Sequence, residues 1–188
     1  MTVDISSPSN RRIIDTARLK TRRRRTDAGR FLIEGTRETA RAAEAGVSMH
    51  EVFLCPEVAP TGTFSLAESL AATGARLTTV SAIAFAKLTM RQNPDGIVAV
   101  AATWVTAIEG LDRDLVLVAE AIEKPGNLGA MLRTADATEA ALLVAEATVD
   151  PFNPNVVRAS QGSLFSVPLA VTDTARAVEW ARDHGPIF

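Results

Sequence analysis

The chain has 188 residues, of which 47% are hydrophobic and 22% charged, a composition typical of globular proteins rather than disordered or fibrous ones. No apolar run approaches the roughly 20 residues that span a bilayer, and the N-terminus lacks a signal-peptide core, so we expect a cytoplasmic protein with no membrane partner. The single cysteine, Cys55, excludes an internal disulfide, and together with only two histidines it gives no metal site to predict.

Positive charge is concentrated near the N-terminus. Residues 1–50 contain eleven Lys or Arg and six Asp or Glu, a net charge of +5, whereas residues 51–188 carry a net charge of -7. Residues 22–25 are consecutive arginines, which repel one another unless a polyanion neutralises them. This asymmetry favours a basic surface that contacts a polyanion over a merely solubilising one.

The first half of the chain alternates short helices and strands. We expect residues 1–9 to form a loose tail and the arginine run to lead into a turn through Asp27 and Gly29. Apolar spacing and turn residues predict helices over residues 10–20, 36–45, 65–72 and 81–88, and strands over residues 31–33, 51–54, 76–80 and 97–102. The pattern predicts a small α/β sandwich over residues 10–102, followed by a linker at 103–114.

The second half, residues 115–188, begins with a nearly continuous apolar run. Residues 115–122 are typical of a parallel strand that is covered on both faces. Asn127 is a plausible N-cap for a helix over residues 127–138. The spacing of its apolar residues predicts a buried stripe that leaves Arg133 outside it. The stripe consists of Leu128, Met131, Leu132 and Ala135.

Further strands are predicted at residues 141–147 and about 165–170, and further helices at about 154–161 and about 174–184. Residues 185–188 resemble a turn that enters a fourth strand. In open α/β sheets, ligands bind beyond the carboxyl ends of the strands. We therefore expect a functional site at the turn that follows residue 122.

Three segments carry a resemblance to a known family. Pro-Gly-Asn-Leu-Gly-Ala-x-x-Arg-Thr-Ala begins at Pro125, a second motif occupies residues 155–169, and Phe-Leu-Ile-Glu-Gly begins at Phe31. Together they resemble the SpoU (TrmH-like) class of RNA ribose methyltransferases in the SPOUT superfamily. The family's third motif, Gly-Ser-Glu-Gly followed by Ser-Leu-Asn-Val-Ser, is absent. We therefore expect a member that is truncated at its C-terminus.

The resemblance implies an α/β fold in two parts. A small ribosomal-protein-like substrate domain would precede an incomplete SPOUT-type domain with a parallel sheet, whose trefoil knot belongs to the absent segment. The resemblance also implies a homodimer for the full-length form. We expect residues 10–102 to fold stably alone, and residues 115–188 to self-associate and to bind cofactor poorly.

The implied activity is methyl transfer from S-adenosylmethionine to a ribose 2′-hydroxyl of rRNA or tRNA. The alternative is a non-catalytic RNA-binding protein that keeps the first half of the fold. A methyltransferase that protects its host from a ribosome-targeting antibiotic is a third reading, which no residue specifically supports. RNA is then the polyanion that the basic region contacts. The candidate RNA-binding residues are Arg11, Arg12, Arg22, Arg23, Arg24, Arg25, Arg30, Arg37 and Arg158.

The resemblance also implies catalytic roles for Arg133, Asn127 and Glu123. A guanidinium group has a pKa above about 12 and is a poor proton acceptor, so we expect Arg133 to stabilise developing charge rather than to act as a base. Asn127 would face the ribose, while Glu123 either orients Arg133 or is simply exposed. Ser160 and Ser163 are either small polar packing residues at a tight loop or, as the resemblance implies, candidates for cofactor binding.

Overall fold

Two β-sheets organise residues 3–185, the part of the chain that this computed structural model describes. The first sheet contains β1 (Arg30–Glu34), β2 (Met49–Leu54), β3 (Arg76–Thr79) and β4 (Ile97–Ala102). Its spatial order is β1-β4-β2-β3, with β4 antiparallel to both neighbours and β2 parallel to β3. The predicted α/β sandwich is therefore built on a mixed sheet.

Five helices accompany this sheet: α1 (Arg11–Arg18), α2 (Arg22–Ala28), α3 (Thr36–Glu44), α4 (Thr61–Ala72) and α5 (Ala82–Leu88). The side chain of Asn10 caps α1 by accepting a hydrogen bond from the backbone of Arg12. The arginine run differs from expectation, because it forms the helix α2 and only Gly29 forms the turn that ends it.

The second sheet is parallel, as predicted. It contains β5 (Val116–Glu120), β6 (Ala141–Ala145) and β7 (Leu169–Thr172) in the order β5-β6-β7. Its helices are α6 (Pro125–Ala137), α7 (Pro154–Ser160) and α8 (Thr174–His184). The strand predicted near 165–170 begins later, because residues 163–165 form a 3-10 turn. The fourth strand predicted at the C-terminus falls on residues 186–188, outside the described residues.

Burial distinguishes the strands of the second sheet. All five residues of β6 are buried, as expected for a central parallel strand. The expectation that β5 is covered on both faces is wrong, because Val118 is 56% exposed and Glu120 on the same face is exposed too. Among the described residues, no helix is long and apolar enough to cross a membrane.

An aromatic cluster joins the two halves of the chain. The Phe31 ring in β1 lies 5.0 Å from the Phe152 ring, and the Trp104 ring of the linker lies 4.7 Å from Phe152. The buried core continues from this cluster into α6 and α7. Separating residues 10–102 would expose this face, so the shared core argues against the expectation that they fold stably alone.

Candidate active site at the carboxyl ends of the second sheet

Helix α6 begins two residues earlier than the sequence predicts. Lys124 is the N-cap, and Pro125 occupies the first helical position. Proline is well tolerated there, because a backbone N–H at this position would have no partner within the helix. The prediction of Asn127 as N-cap is therefore wrong. Asn127 lies in the first turn, and its exposed side chain has no hydrogen-bond partner among the described residues.

Arg133 lies at the edge of the solvent-facing side of α6. Gly129 is buried whereas Met131 is 37% exposed, so the buried stripe is displaced from its predicted position toward α7. The guanidinium group of Arg133 donates a hydrogen bond from Nη1 to the carbonyl oxygen of Ala159, near the end of α7. The exposed Glu123 forms no ion pair with Arg133 in the described part of the chain. The two helices thus fix the position of Arg133 without neutralising its charge.

Gly129 allows α6 and α7 to approach closely. A Cβ atom at this position would lie 2.4 Å from the Cβ of Ala159 and 2.8 Å from the backbone nitrogen of Ser160. Both distances are well inside van der Waals contact, so a side chain here would push the helices apart. The glycine of the first motif therefore supports the contact that holds Arg133.

We expect Gly129→Ala to destabilise the protein by about 1–3 kcal/mol, because overpacking forces backbone shifts. The matched control is Gly126→Ala in the same helix, where an added Cβ would meet nothing within 4 Å. The control should be neutral or stabilising, because alanine is the better helix former. Urea unfolding of both variants checks the difference, and equal stabilities would contradict the packing argument.

The second motif places its serines in the interior. Ser160 is fully buried, and its hydroxyl donates to the carbonyl oxygen of Val157 at 2.8 Å. Ser163 is 3% exposed, and its hydroxyl donates to a carboxylate oxygen of Asp136 at 2.7 Å. Each serine therefore uses its only hydroxyl hydrogen internally. These two buried hydroxyls do not fit the predicted role in cofactor binding.

Asp136 connects the second motif to α6 and α3. Its carboxylate accepts hydrogen bonds from Ser163 and Ser166, and it forms an ion pair with Arg41 at 3.4 Å. Partial burial opposes ionisation, but the two hydroxyl hydrogen bonds and the charge of Arg41 outweigh it, so the pKa of Asp136 is lowered. Sequence reasoning missed this residue because its partners are distant along the chain.

A lowered pKa means that ionised Asp136 stabilises the folded state above the pKa of the unfolded chain, and that this contribution is lost as pH falls through the folded-state pKa. We therefore expect Asp136→Asn to be less stable than wild type at pH 7, and the difference to shrink below about pH 4. Urea unfolding at several pH values measures it. A difference that is constant from pH 7 to pH 3 would contradict this contribution of the charge.

Helix α2 is anchored against the loop that follows β6. Arg25 is 2% exposed; its Nε donates to Asp150 at 2.8 Å, and its Nη1 donates to the carbonyl oxygens of Leu19 and Lys20. The expectation that Arg25 contacts RNA is therefore corrected, since its guanidinium is consumed by internal partners. Arg25 therefore does not belong to the predicted basic surface, and it instead anchors α2 to the loop after β6.

A second contact extends this anchor toward the functional turn. Arg22 Nη1 donates to the carbonyl oxygen of Thr148 at 3.1 Å, and the Thr148 hydroxyl donates to the carbonyl oxygen of Ile122 at 3.2 Å. The basic helix is thereby linked to the loops that follow both β5 and β6. Sequence spacing alone gave no signal for this arrangement.

The other candidate RNA-binding residues differ in availability. Arg11, Arg23, Arg24 and Arg30 are exposed, although Arg11 and Arg23 each lie near an aspartate on their own helix. Arg12 is half-buried and pairs with Glu51 and Thr78. Arg37 contacts Glu38 and Gln161, and Arg158 contacts Asn155. The structure therefore places Arg22 of α2 beside the functional turn, and it places Arg37 and Arg158 near the end of α7, where Ala159 contacts Arg133.

Comparison with known proteins identifies both halves of the chain. Residues 10–99 match the MRM3-like substrate binding domain, and residues 114–187 match the SpoU rRNA Methylase family. The chain is 31% identical over 182 residues to the 23S rRNA (guanosine(2553)-2'-O)-methyltransferase RlmP of Bacillus subtilis, covering 96% of this chain and 70% of that protein. The chain belongs to the SpoU family. The predicted resemblance is therefore confirmed.

Solved structures agree with this assignment to SpoU. An RNA 2'-O ribose methyltransferase superposes with a TM-score of 0.80 at 37% identity, covering 96% of this chain and 69% of that one. An AdoMet-bound rRNA methyltransferase from Sinorhizobium meliloti superposes with a TM-score of 0.82 at 27% identity, with the same coverage. It supports S-adenosylmethionine as the cofactor. The chain spans 60–70% of the length of its first curated relatives.

Proposed function

We propose that this protein methylates a ribose 2′-hydroxyl of rRNA at the carboxyl ends of β5 and β6. The observation that carries the proposal is the position of Asn127 and Arg133 on the solvent-facing side of α6, directly after β5. The basic helix α2 is anchored beside the same edge of the sheet. The curated names of relatives such as the Bacillus subtilis enzyme support rRNA as the substrate.

Bound S-adenosylmethionine supplies an electrophilic methyl group for this chemistry. The ribose oxygen gains negative charge as its proton passes to water and it bonds to the methyl carbon, whose bond to sulfur breaks. A fixed cation near that oxygen lowers the barrier. Ala159 occupies only part of the guanidinium fork of Arg133. We assign Arg133 to the developing charge and to a neighbouring phosphate.

Asn127 and Glu123 are the other candidate catalytic residues. Both side chains are exposed beside the turn, and neither has a hydrogen-bond partner among the described residues. Their amide and carboxylate groups are therefore free to hydrogen-bond ribose hydroxyls. In this arrangement they orient the nucleotide while Arg133 supplies the charge.

The exposed arginines of α2 are proposed to bind RNA phosphates. Replacing Arg22, Arg23 and Arg24 with alanine should weaken RNA binding and reduce its salt dependence, with each lost contact to a duplex removing about 0.9 from the log–log slope. A salt titration by fluorescence anisotropy measures the slope. If the triple variant had the same log–log salt slope as wild type, these arginines would be only a solvated surface.

Methyl transfer itself tests the proposed function. The protein, expressed at the length that its gene encodes, is incubated with rRNA and S-adenosylmethionine carrying a labelled methyl group, and the RNA is digested to nucleosides. Label in a 2′-O-methylated nucleoside supports the proposal. RNA binding without methyl transfer would favour the alternative of a non-catalytic RNA-binding protein, and a base-methylated nucleoside would refute ribose specificity.

We also propose a homodimer and a cytoplasmic location. The dimer rests on resemblance to the family, and the location on rRNA as the substrate. Sedimentation equilibrium and cell fractionation test these two statements separately. A monomer at micromolar concentration, or a protein confined to the membrane fraction, would contradict them.

A further inference from the structure

A cavity of about 310 Å³ lies in the substrate domain, between α5 and the loop formed by residues 89–95. Its apolar walls come from Val58, Phe85, Met90 and Pro94. The polar part of the lining includes Arg91, together with Gln92, whose side chain is exposed. The mixture of flat apolar walls and a few polar groups is typical of sites that bind small planar ligands.

Buried carboxylates hold this loop in place. The Glu34 carboxylate accepts hydrogen bonds from the backbone nitrogens of Met90 at 2.9 Å and Arg91 at 3.2 Å, and from the Thr89 hydroxyl. Arg91 pairs with Glu38 at 3.0 Å. The cavity is therefore preformed, and a ligand would not have to order it.

The glycine of the Phe-Leu-Ile-Glu-Gly segment makes room for this arrangement. A Cβ atom at Gly35 would lie 2.6 Å from both terminal nitrogens of Arg91 and from a Glu38 carboxylate oxygen. The segment thus builds the cavity wall from two sides, because Glu34 fixes the loop backbone while Gly35 admits the Arg91 guanidinium.

One donor in this wall has no partner. The Nη groups of Arg91 are bonded to Asp95, Glu38 and the carbonyl oxygen of Glu34, but its buried Nε has no hydrogen-bond partner among the described residues. Buried donors in native proteins nearly always have a partner. The Nε atom is itself buried, so Arg91 shapes the cavity wall, and the exposed Gln92 is the polar side chain that a ligand can reach.

Positive charge reaches the rim of the cavity. The Lys20 ammonium donates to the carbonyl oxygens of Lys87 at 2.8 Å and Thr89 at 3.0 Å, and Thr89 lines the cavity. Helix α2, with its exposed arginines, follows directly after Lys20. A ligand in the cavity would therefore have the Lys20 ammonium at its rim for an attached phosphate.

We infer that this cavity holds one unpaired nucleobase of the RNA substrate. The apolar walls contact the faces of the base, Gln92 hydrogen-bonds its edge, and Lys20 at the rim contacts a flanking phosphate. The cavity would add a preference for single-stranded structure to the sequence-independent affinity of α2. This inference rests on the proposed function, since it assumes an RNA substrate.

Filling the cavity tests the inference. Ala86 lines the cavity from the exposed side of α5, so Ala86→Phe fills the cavity without altering the buried core. The control is Ile83→Phe, which adds bulk to the same helix outside the cavity lining, at a residue that is 71% exposed. The probes are an RNA hairpin with 2-aminopurine in its unpaired loop and a blunt duplex with the same stem. Because stacking of one base is a substantial part of affinity, Ala86→Phe should weaken hairpin binding about tenfold and leave duplex binding unchanged. Ile83→Phe should match wild type.

Binding of the hairpin to wild type should also change the 2-aminopurine fluorescence, and this change should disappear in Ala86→Phe. Equal hairpin affinity in Ala86→Phe and wild type, or equal losses for hairpin and duplex, would overturn the nucleobase site while leaving the proposed function standing. Failure of wild type to bind either RNA in a salt-dependent manner would overturn the proposed function instead. Circular dichroism of each variant verifies that it is folded.

Discussion

Replacing Arg25 with alanine is expected to lower the free energy of unfolding by about 3–5 kcal/mol, because it leaves a largely buried carboxylate without its partner. Arg25 is 2% exposed, and its Nη2 lies 2.6 Å from the Oδ2 of Asp150, whose side chain is 12% exposed. The substitution also removes the donors to Leu19 and Lys20. Urea unfolding followed by circular dichroism measures the loss.

The matched control for this prediction is Arg24→Ala, the neighbouring arginine of α2. Arg24 is exposed and has no ion pair among the described residues. The free energy of unfolding of Arg24→Ala should therefore remain within about 0.5 kcal/mol of wild type. If Arg25→Ala and Arg24→Ala were equally stable, the buried pair would not anchor α2, and the proposed alignment of α2 with the active site would lose its support.

In the protein at the length that its gene encodes, replacing Arg133 with alanine is expected to slow methyl transfer about 10²-fold or more, in the range found when a transition-state donor is removed. The affinity for S-adenosylmethionine should change little, because the charge is needed mainly as the ribose oxygen becomes negative. Single-turnover kinetics measure the rate, and calorimetric titration measures the affinity.

Arg133→Lys should also be strongly impaired, because a single ammonium cannot contact Ala159, the ribose oxygen and a phosphate as a planar fork can. Arg182→Ala is the control, since Arg182 is exposed on α8 and has no ion pair in the described residues. A lysine variant with near-normal turnover would refute the requirement for a guanidinium. A large loss in the Arg182 variant would show that general charge, and not position, matters.

Much of the second sheet could be predicted from local sequence. The apolar run of β6 and the glycine and proline residues around α6 and α7 predict their boundaries to within about two residues, because these signals act over a few neighbouring positions. The same local signals placed Asn127 and Arg133 in the helix after β5. The local signals did not identify the first residue of α6, because two of them compete. Asn127 is a favourable N-cap, and Pro125 is an equally favourable first helical residue.

Long-range contacts explain the remaining errors. The sequence neighbours of Arg25 are those of a surface arginine. Only its contact with Asp150, 125 residues away, shows that it is a buried anchor. Ser163 bonds to Asp136 only because α6 packs beside the second motif, a contact that its own sequence neighbours do not show. Val118 was expected in the interior, but the face of β5 that carries Val118 and Glu120 is exposed, which the apolar run itself does not show.

The central claim is that α2 and the first turns of α6 face the same bound RNA. Photocrosslinking of the protein to rRNA fragments that contain 4-thiouridine, followed by mass spectrometry of the crosslinked peptides, tests it most directly. The structure predicts crosslinks from one RNA fragment to the peptide containing residues 22–24 and to the peptide containing residues 123–133. Crosslinks to α2 with none to residues 123–133, at saturating RNA, would contradict the claim.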